Sequence, residues 1–141
     1  AAEEVERAQD LVAGKPVTIR FVAEARIELD APPRVFAVMI SNLLRNACQY
    51  TEQGEVVVTL GERFVRVDDS GPGMAPEDVA HAFEPFYRGK GAGKGGHGVG
   101  LTIVRRLADR FGWPVTLEST LGIGTRATIA LPQARPTALI E

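Results

Sequence analysis

Cysteine occurs once in the 141 residues, at Cys48 within an apolar stretch, and this excludes a disulfide framework. Histidine occurs twice, at His81 and His97, so soft ligands are too few for a zinc site. Long apolar runs are missing as well. The charge-free stretch 35–44 is far too short to cross a hydrocarbon core of roughly 30 Å, and Ala1-Ala2-Glu3-Glu4 carries no signal-peptide pattern. Neither sign of charge prevails: 16 basic against 18 acidic side chains leave a formal −2, without the basic footprint of general nucleic-acid binding. These absences point to a reducing, cytoplasmic setting with no direct membrane contact. The sequence opens on alanine rather than methionine, so it is expected to be a piece of a longer protein that could itself be membrane-anchored. At 45% hydrophobic residues the chain suits one compact domain, able to bury about 70% of its unfolded surface.

Period and punctuation divide that domain, which is expected over 1–131 with a loose tail at 132–141. Residues 3–12 read as a short helix stopped by Gly14-Lys15-Pro16; 17–23 and 26–29 read as strands. From 34 to 50, Phe36, Met39, Ile40, Leu43, Leu44 and Ala47 recur at helical spacing. Valine-rich runs at 55–60 and 64–67 flank Gly61-Glu62-Arg63 as an antiparallel hairpin. A helical pattern over 99–111 ends before Gly112, and 115–118 with 125–131 close the chain as a strand pair. Hairpin-linked strands with loosely alternating helices predict an α+β fold: one mixed, mostly antiparallel sheet covered on one face by about three helices.

Three groups of residues carry chemistry. Asn42 and Asn46 are four apart, hence on one side of the helix. Asparagine is a poor helix former, and two amides in an apolar helix need partners. Those partners are either a neighbouring loop, the commoner case for such a pair alone, or a hard cation with its phosphates. Asp68-Asp69-Ser70-Gly71-Pro72-Gly73-Met74 follows a strand. Such a string is often just a turn, yet a fixed carboxylate there matches the exocyclic amine of adenine and repels the oxygen of guanine. The third group is the glycine-rich tract 86–100, with Arg88, Lys90 and Lys94, leading straight into a helix. It is either a flexible linker or an anion cradle of successive N–H groups. A P-loop is excluded, because Arg88 stands where its first glycine belongs and Gly95 replaces the required Ser or Thr. A dinucleotide fold is excluded by the lack of alternating strand–helix units before the glycines.

Taken in order, Asn42-Leu43-Leu44-Arg45-Asn46-Ala47, Asp69-Ser70-Gly71-Pro72-Gly73, Phe83-Glu84-Pro85-Phe86-Tyr87-Arg88, Gly96-His97-Gly98-Val99-Gly100-Leu101 and Gly122-Ile123-Gly124-Thr125 resemble the sensor histidine kinase catalytic domain. The resemblance covers about 17–131. It implies the two-layer α/β sandwich of a superfamily that includes type II topoisomerases, mismatch-repair ATPases and a heat-shock chaperone. By matching position it implies ATP and Mg²⁺ as cofactors, with Asn42 as the metal ligand and Asn46 a phosphate-side contact. Asp69 would bind the adenine amine, Gly71 and Gly73 would shape its loop, and Thr125 would hold a water beside the base. The tract after Phe86 would be a lid, with Gly96, Gly98, Val99, Gly100 and Leu101 at the phosphates and Arg88 or one of the lid lysines, Lys90 or Lys94, stabilising the transferring group. Phe83 and Phe86 are expected mainly to pack.

Two departures matter. Gln49 stands where the family often has a lysine. Val38 stands one turn before Asn42, where hydrolytic members of the superfamily carry a glutamate base. Valine cannot take a proton, so transfer to an outside nucleophile is expected over hydrolysis. The implied nucleophile is a histidine on a separate dimerisation and phosphoacceptor domain, with relay to a response-regulator aspartate. A nucleotide-binding regulatory module and a serine-directed kinase of the anti-sigma type are the alternative readings.

Overall fold

A computed structural model describes residues 13–24, 27–28, 31–83, 100–132 and 135–136. The helix expected over 3–12, and Arg88, Lys94, Gly96, Gly98 and Val99 of the glycine-rich tract, lie outside the described residues. The strands are β1 (Val17–Ala23), β2 (Ile27–Glu28), β3 (Gly54–Leu60), β4 (Phe64–Asp69), β5 (Val115–Thr120), β6 (Gly124–Ala130) and β7 (Arg135–Pro136). The helices are α1 (Pro33–Tyr50), α2 (Pro76–His81) and α3 (Gly100–Phe111). The main sheet has the order β1-β3-β4-β6-β5, parallel between β1 and β3 and antiparallel elsewhere.

Alternation decides which face the helices cover. Along β3 and β4, Val56, Val58, Val65 and Val67 are buried, while Phe64, Arg66 and Asp68 point the other way. Against the buried valines lies α1, through Met39, Ile40, Leu43, Leu44, Ala47 and Cys48. Each large aliphatic side chain so enclosed contributes about 1.5–3 kcal/mol. Leu101, Val104 and Ala108 of α3 complete the layer beside α1. The opposite face carries arginine–carboxylate pairs instead: Arg20 to Glu55 at 2.9 Å and Arg126 to Asp68 at 2.6 Å. Such solvent-facing pairs contribute little to stability. Among the described residues, no helix is long and apolar enough to cross a membrane.

The expected second strand does not join this sheet. Ile27–Glu28 pairs antiparallel with Arg135–Pro136, inside the segment expected as a tail, in a separate two-stranded ladder.

Helix α1 starts at a proline, whose missing N–H is one the first turn leaves unbonded anyway. Its last turn holds no basic residue. Lys15 supplies the charge from outside: its ammonium donates to the carbonyls of Cys48, Gln49 and Thr51 at 3.3–3.4 Å and sits 3.6 Å from Glu52. A cation on the carbonyl end of a helix opposes its dipole. Lys15→Met keeps the aliphatic stem and removes that charge, and is expected to lower stability by about 1 kcal/mol in urea denaturation. An unchanged midpoint would show that the contact is idle. Burial pushes the neighbouring Cys48 thiol up to about 11, leaving it a packing residue rather than a nucleophile.

Candidate functional site

The site is organised around the end of β4. Asp69 is in register with Val56 on one side and Thr125 on the other. Adjacent strand residues face opposite ways, so Asp68 meets Arg126 on the bare face and Asp69 turns to the helix side. The Asp69 carboxylate accepts from the Gly71 N–H at 2.9 Å and from the Thr125 N–H. Burial raises its pKa above the usual carboxylate range, the two backbone donors pull the other way, and the Asp68 charge adds to the rise. The result is a fixed, partly desolvated acceptor with lone pairs still to satisfy.

The loop after Asp69 is held against the β5–β6 hairpin. Gly122 N–H donates to Pro72 O at 2.8 Å, and Met74 N–H donates to Ser119 Oγ at 2.7 Å. Ser119 Oγ also lies 3.0 Å from Gly124 O and 2.8 Å from Thr125 Oγ1. Gly73, expected to let the backbone approach the base, has a second reason to be glycine. Its φ is +72°, and a Cβ there would sit 2.1 Å from Thr120 O. Gly73→Ala therefore forces the loop off the hairpin, beyond the roughly 1–2 kcal/mol of left-handed backbone strain. Thermal melts and ATP titration are expected to show losses of both stability and affinity. Wild-type values in both would refute the packing argument. Gly124 is constrained in the same way, since a Cβ would meet Asp69 O at 2.0 Å.

Asn42 and Asn46 lie half-buried along one side of α1, which packs across β3 and β4. Asn42 Nδ2 donates to Val38 O at 2.8 Å, using one of the amide's two N–H groups within the helix, while the amide oxygen is the atom a cation would use. Val38, one turn earlier, is 37% exposed. Gly100 opens α3 and Leu101 follows with its side chain in the core, so only its backbone N–H is left to a ligand. Thr102 Oγ1 donates to Phe83 O at 2.8 Å, which ties the start of α3 to the residue that follows α2 and its last turn. Phe83 packs against the core, as expected, under the Arg105 guanidinium at 5.1 Å.

Hydrogen bonds thus join Asp69, Gly71 and Thr125 directly, and the Gly73 loop through Ser119. Asn42, Asn46 and Leu101 belong to the helix layer, the asparagines on α1 and Leu101 on α3. A shallow cleft of about 160 Å³ opens beside Asp69, lined also by Glu55, Val57, Asp68, Ser70 and Ile123. Its Glu55 and Asp68 carboxylates are already engaged by arginines and neither asparagine borders it, so it is separate from the asparagine side of the site. Ser119 was not singled out by the sequence motifs. Its signal was parity: it shares the inward side of β5 with Val115 and Leu117, where a hydroxyl needs partners.

An open sheet covered on one side by helices, with asparagines on one helix and a strand-end aspartate, defines a two-layer α/β nucleotide-binding class. The family described as Histidine kinase-, DNA gyrase B-, and HSP90-like ATPase matches residues 32–135, and the chain belongs to it. The sensor protein QseC of Salmonella typhimurium is 39% identical over 115 residues, covering 76% of this chain and 26% of that protein. The sensor protein TorS of Escherichia coli is 35% identical over 133 residues, covering 90% of this chain and 14% of its own length. The chain thus spans about a quarter or less of these curated relatives. Full-length ShkA, solved in complex with AMPPNP, superposes with a TM-score of 0.80 at 28% identity, over 98% of this chain and 30% of that one. The mycobacterial sensor histidine kinase MprB superposes at 0.79 over 96% and 97% of the two chains; at 21% identity this is a likeness of fold. The family read from the five boxes and the mixed, mostly antiparallel sheet are both borne out.

Proposed function

We propose that this chain is the ATP-binding catalytic domain of a two-component sensor histidine kinase, working on the cytoplasmic side. It transfers the γ-phosphoryl group of ATP to a histidine on a separate helical dimerisation domain, for relay to a response-regulator aspartate. The observation that carries the reading is the Asp69 carboxylate, fixed by the Gly71 and Thr125 N–H groups and partly desolvated. Asp69 accepts from the adenine amine and repels the guanine oxygen, which sets the choice of base. AMPPNP in the ShkA complex is an adenine nucleotide, in keeping with that choice.

The donor set suits Mg²⁺ shared with phosphates. Among the described residues no group of three His, Cys, Asp or Glu side chains could hold a metal, so a carboxylate cage does not fit. One amide oxygen from Asn42, whose NH2 group is oriented by the bond to Val38 O, does fit an ion that completes its shell with phosphates and water. When bound, the ion screens the phosphate charges. Asn46 orients the phosphates from one turn further along α1, together with the first N–H groups of α3, and Arg88, Lys90 and Lys94 of the glycine-rich tract are the candidate cations for the transferring group. The P–O bond to ADP breaks as the P–N bond to histidine forms. Neither asparagine nor Val38 can take a proton, which favours a base that arrives with the acceptor domain.

Incubation with labelled ATP and a matching helical acceptor domain tests the proposal. Acid-labile label on the acceptor is the expected result. Acid-stable label would indicate a serine-directed kinase, and ATP binding without label a regulatory module.

A further inference from the structure

Ser119 lies outside every motif that carries the proposed reading, yet its hydroxyl meets three parts of the site. It is 2.7 Å from Met74 N, 3.0 Å from Gly124 O and 2.8 Å from Thr125 Oγ1. The chemistry of these partners fixes the protons. A backbone N–H only donates, so Ser119 accepts from Met74. A carbonyl only accepts, so the single Ser119 proton goes to Gly124 O. In the remaining contact either oxygen has the geometry to donate, but the Ser119 proton is already placed. Thr125 must therefore be the donor, which leaves its hydroxyl only lone pairs for any ligand. Thr125 in turn gives its N–H to Asp69. The Asp69 and Thr125 side chains then present acceptors alone.

We infer that Ser119 is a positioning and specificity-determining residue. By taking the Thr125 proton and anchoring Met74, it makes the base side of the pocket all-acceptor, suited to an exocyclic amine and unfavourable to a carbonyl. The inference rests on the proposed adenine pocket and goes beyond it, since Ser119 need not touch the nucleotide. Removing the Ser119 hydroxyl releases the Thr125 proton, which can then be offered to guanine O6. Selectivity, rather than affinity in general, is the quantity that moves.

The test is titration of this chain and of Ser119→Ala with ATP and with GTP. The expected result is a fall in the ATP-to-GTP affinity ratio of roughly tenfold, the worth of one neutral hydrogen bond. Ser119→Thr, which restores the hydroxyl, should recover the ratio. In Thr125→Val the ratio should fall as well, and adding Ser119→Ala to it should change the ratio no further. Should Ser119→Ala not fold, Ser119→Cys carries the same expectation, its thiol being a weak donor and acceptor of similar size. Equal losses for both nucleotides, or an unchanged ratio, would overturn the inference and leave Ser119 a purely structural clamp. Failure of the unaltered chain to bind ATP would instead strike at the pocket itself.

Discussion

Asp69→Asn is expected to weaken ATP binding by roughly 10–100-fold, the range for losing a hydrogen bond to a charged acceptor, while leaving the empty domain at least as stable at neutral pH. Both halves follow from one environment. Burial holds the folded-state pKa of Asp69 above its unfolded value, despite the opposing Gly71 and Thr125 donors. A carboxyl with a raised folded pKa favours folding when protonated, and that contribution is lost as pH rises through the folded value. At neutral pH the ionised group is therefore a burden on the nucleotide-free fold, which the neutral amide removes. Binding has the opposite sign, because the adenine amine needs the charged acceptor. ATP affinity should thus fall on acidification at a higher pH than an exposed aspartate would give, and Asp69→Asn should flatten the profile. Titration calorimetry and thermal melts across the acidic range measure the two effects together. A variant that loses stability at neutral pH and keeps its ATP affinity would reverse the assignment.

Asn42→Ala is expected to reduce phosphoryl transfer by on the order of 10²–10³, the usual effect of deleting one group aimed at developing charge. Adenine affinity measured without Mg²⁺ should change little, since Asp69 on β4 and its donors in the following loop and on β6 lie outside α1. The helix should not suffer either. Losing the bond from Asn42 Nδ2 to Val38 O is offset by the higher helix propensity of alanine. Single-turnover transfer over a Mg²⁺ series is the measurement. Wild-type rates at moderate Mg²⁺ would remove Asn42 from the metal.

The elements legible in the sequence were those whose own residues carry the period. Helix α1 announced itself through Phe36, Met39, Ile40, Leu43, Leu44 and Ala47, and the β3–β4 hairpin through valines around Gly61. Pairings between distant segments were not legible, because no local pattern encodes them. The parallel β1–β3 ladder has no turn to mark it, and the Ile27–Glu28 bridge to Arg135–Pro136 is too short to show any alternation. At the candidate site, the asparagines and Asp69 stood out because amides in an apolar helix and a carboxylate at a strand end are locally anomalous, but each alone is more often a loop contact or a turn, and their proposed roles came from the order of the five boxes. Gly73 could be named but not fully explained, as a glycine does not reveal which neighbour comes close; here one is Thr120. Ser119 was missed because the strand was read as 115–118, one residue short of it, so its inward parity with Val115 and Leu117 was not applied.

The central claim is that this fold reads adenine through Asp69 and holds the triphosphate through Asn42. Calorimetric titration of the unmodified chain with ATP and GTP, with and without Mg²⁺, addresses it most directly. The account predicts ATP binding tightened by Mg²⁺ and GTP at least about tenfold weaker, as expected when a fixed acceptor faces a carbonyl oxygen. Equal affinity for the two purines, or no affinity for ATP at all, would contradict it.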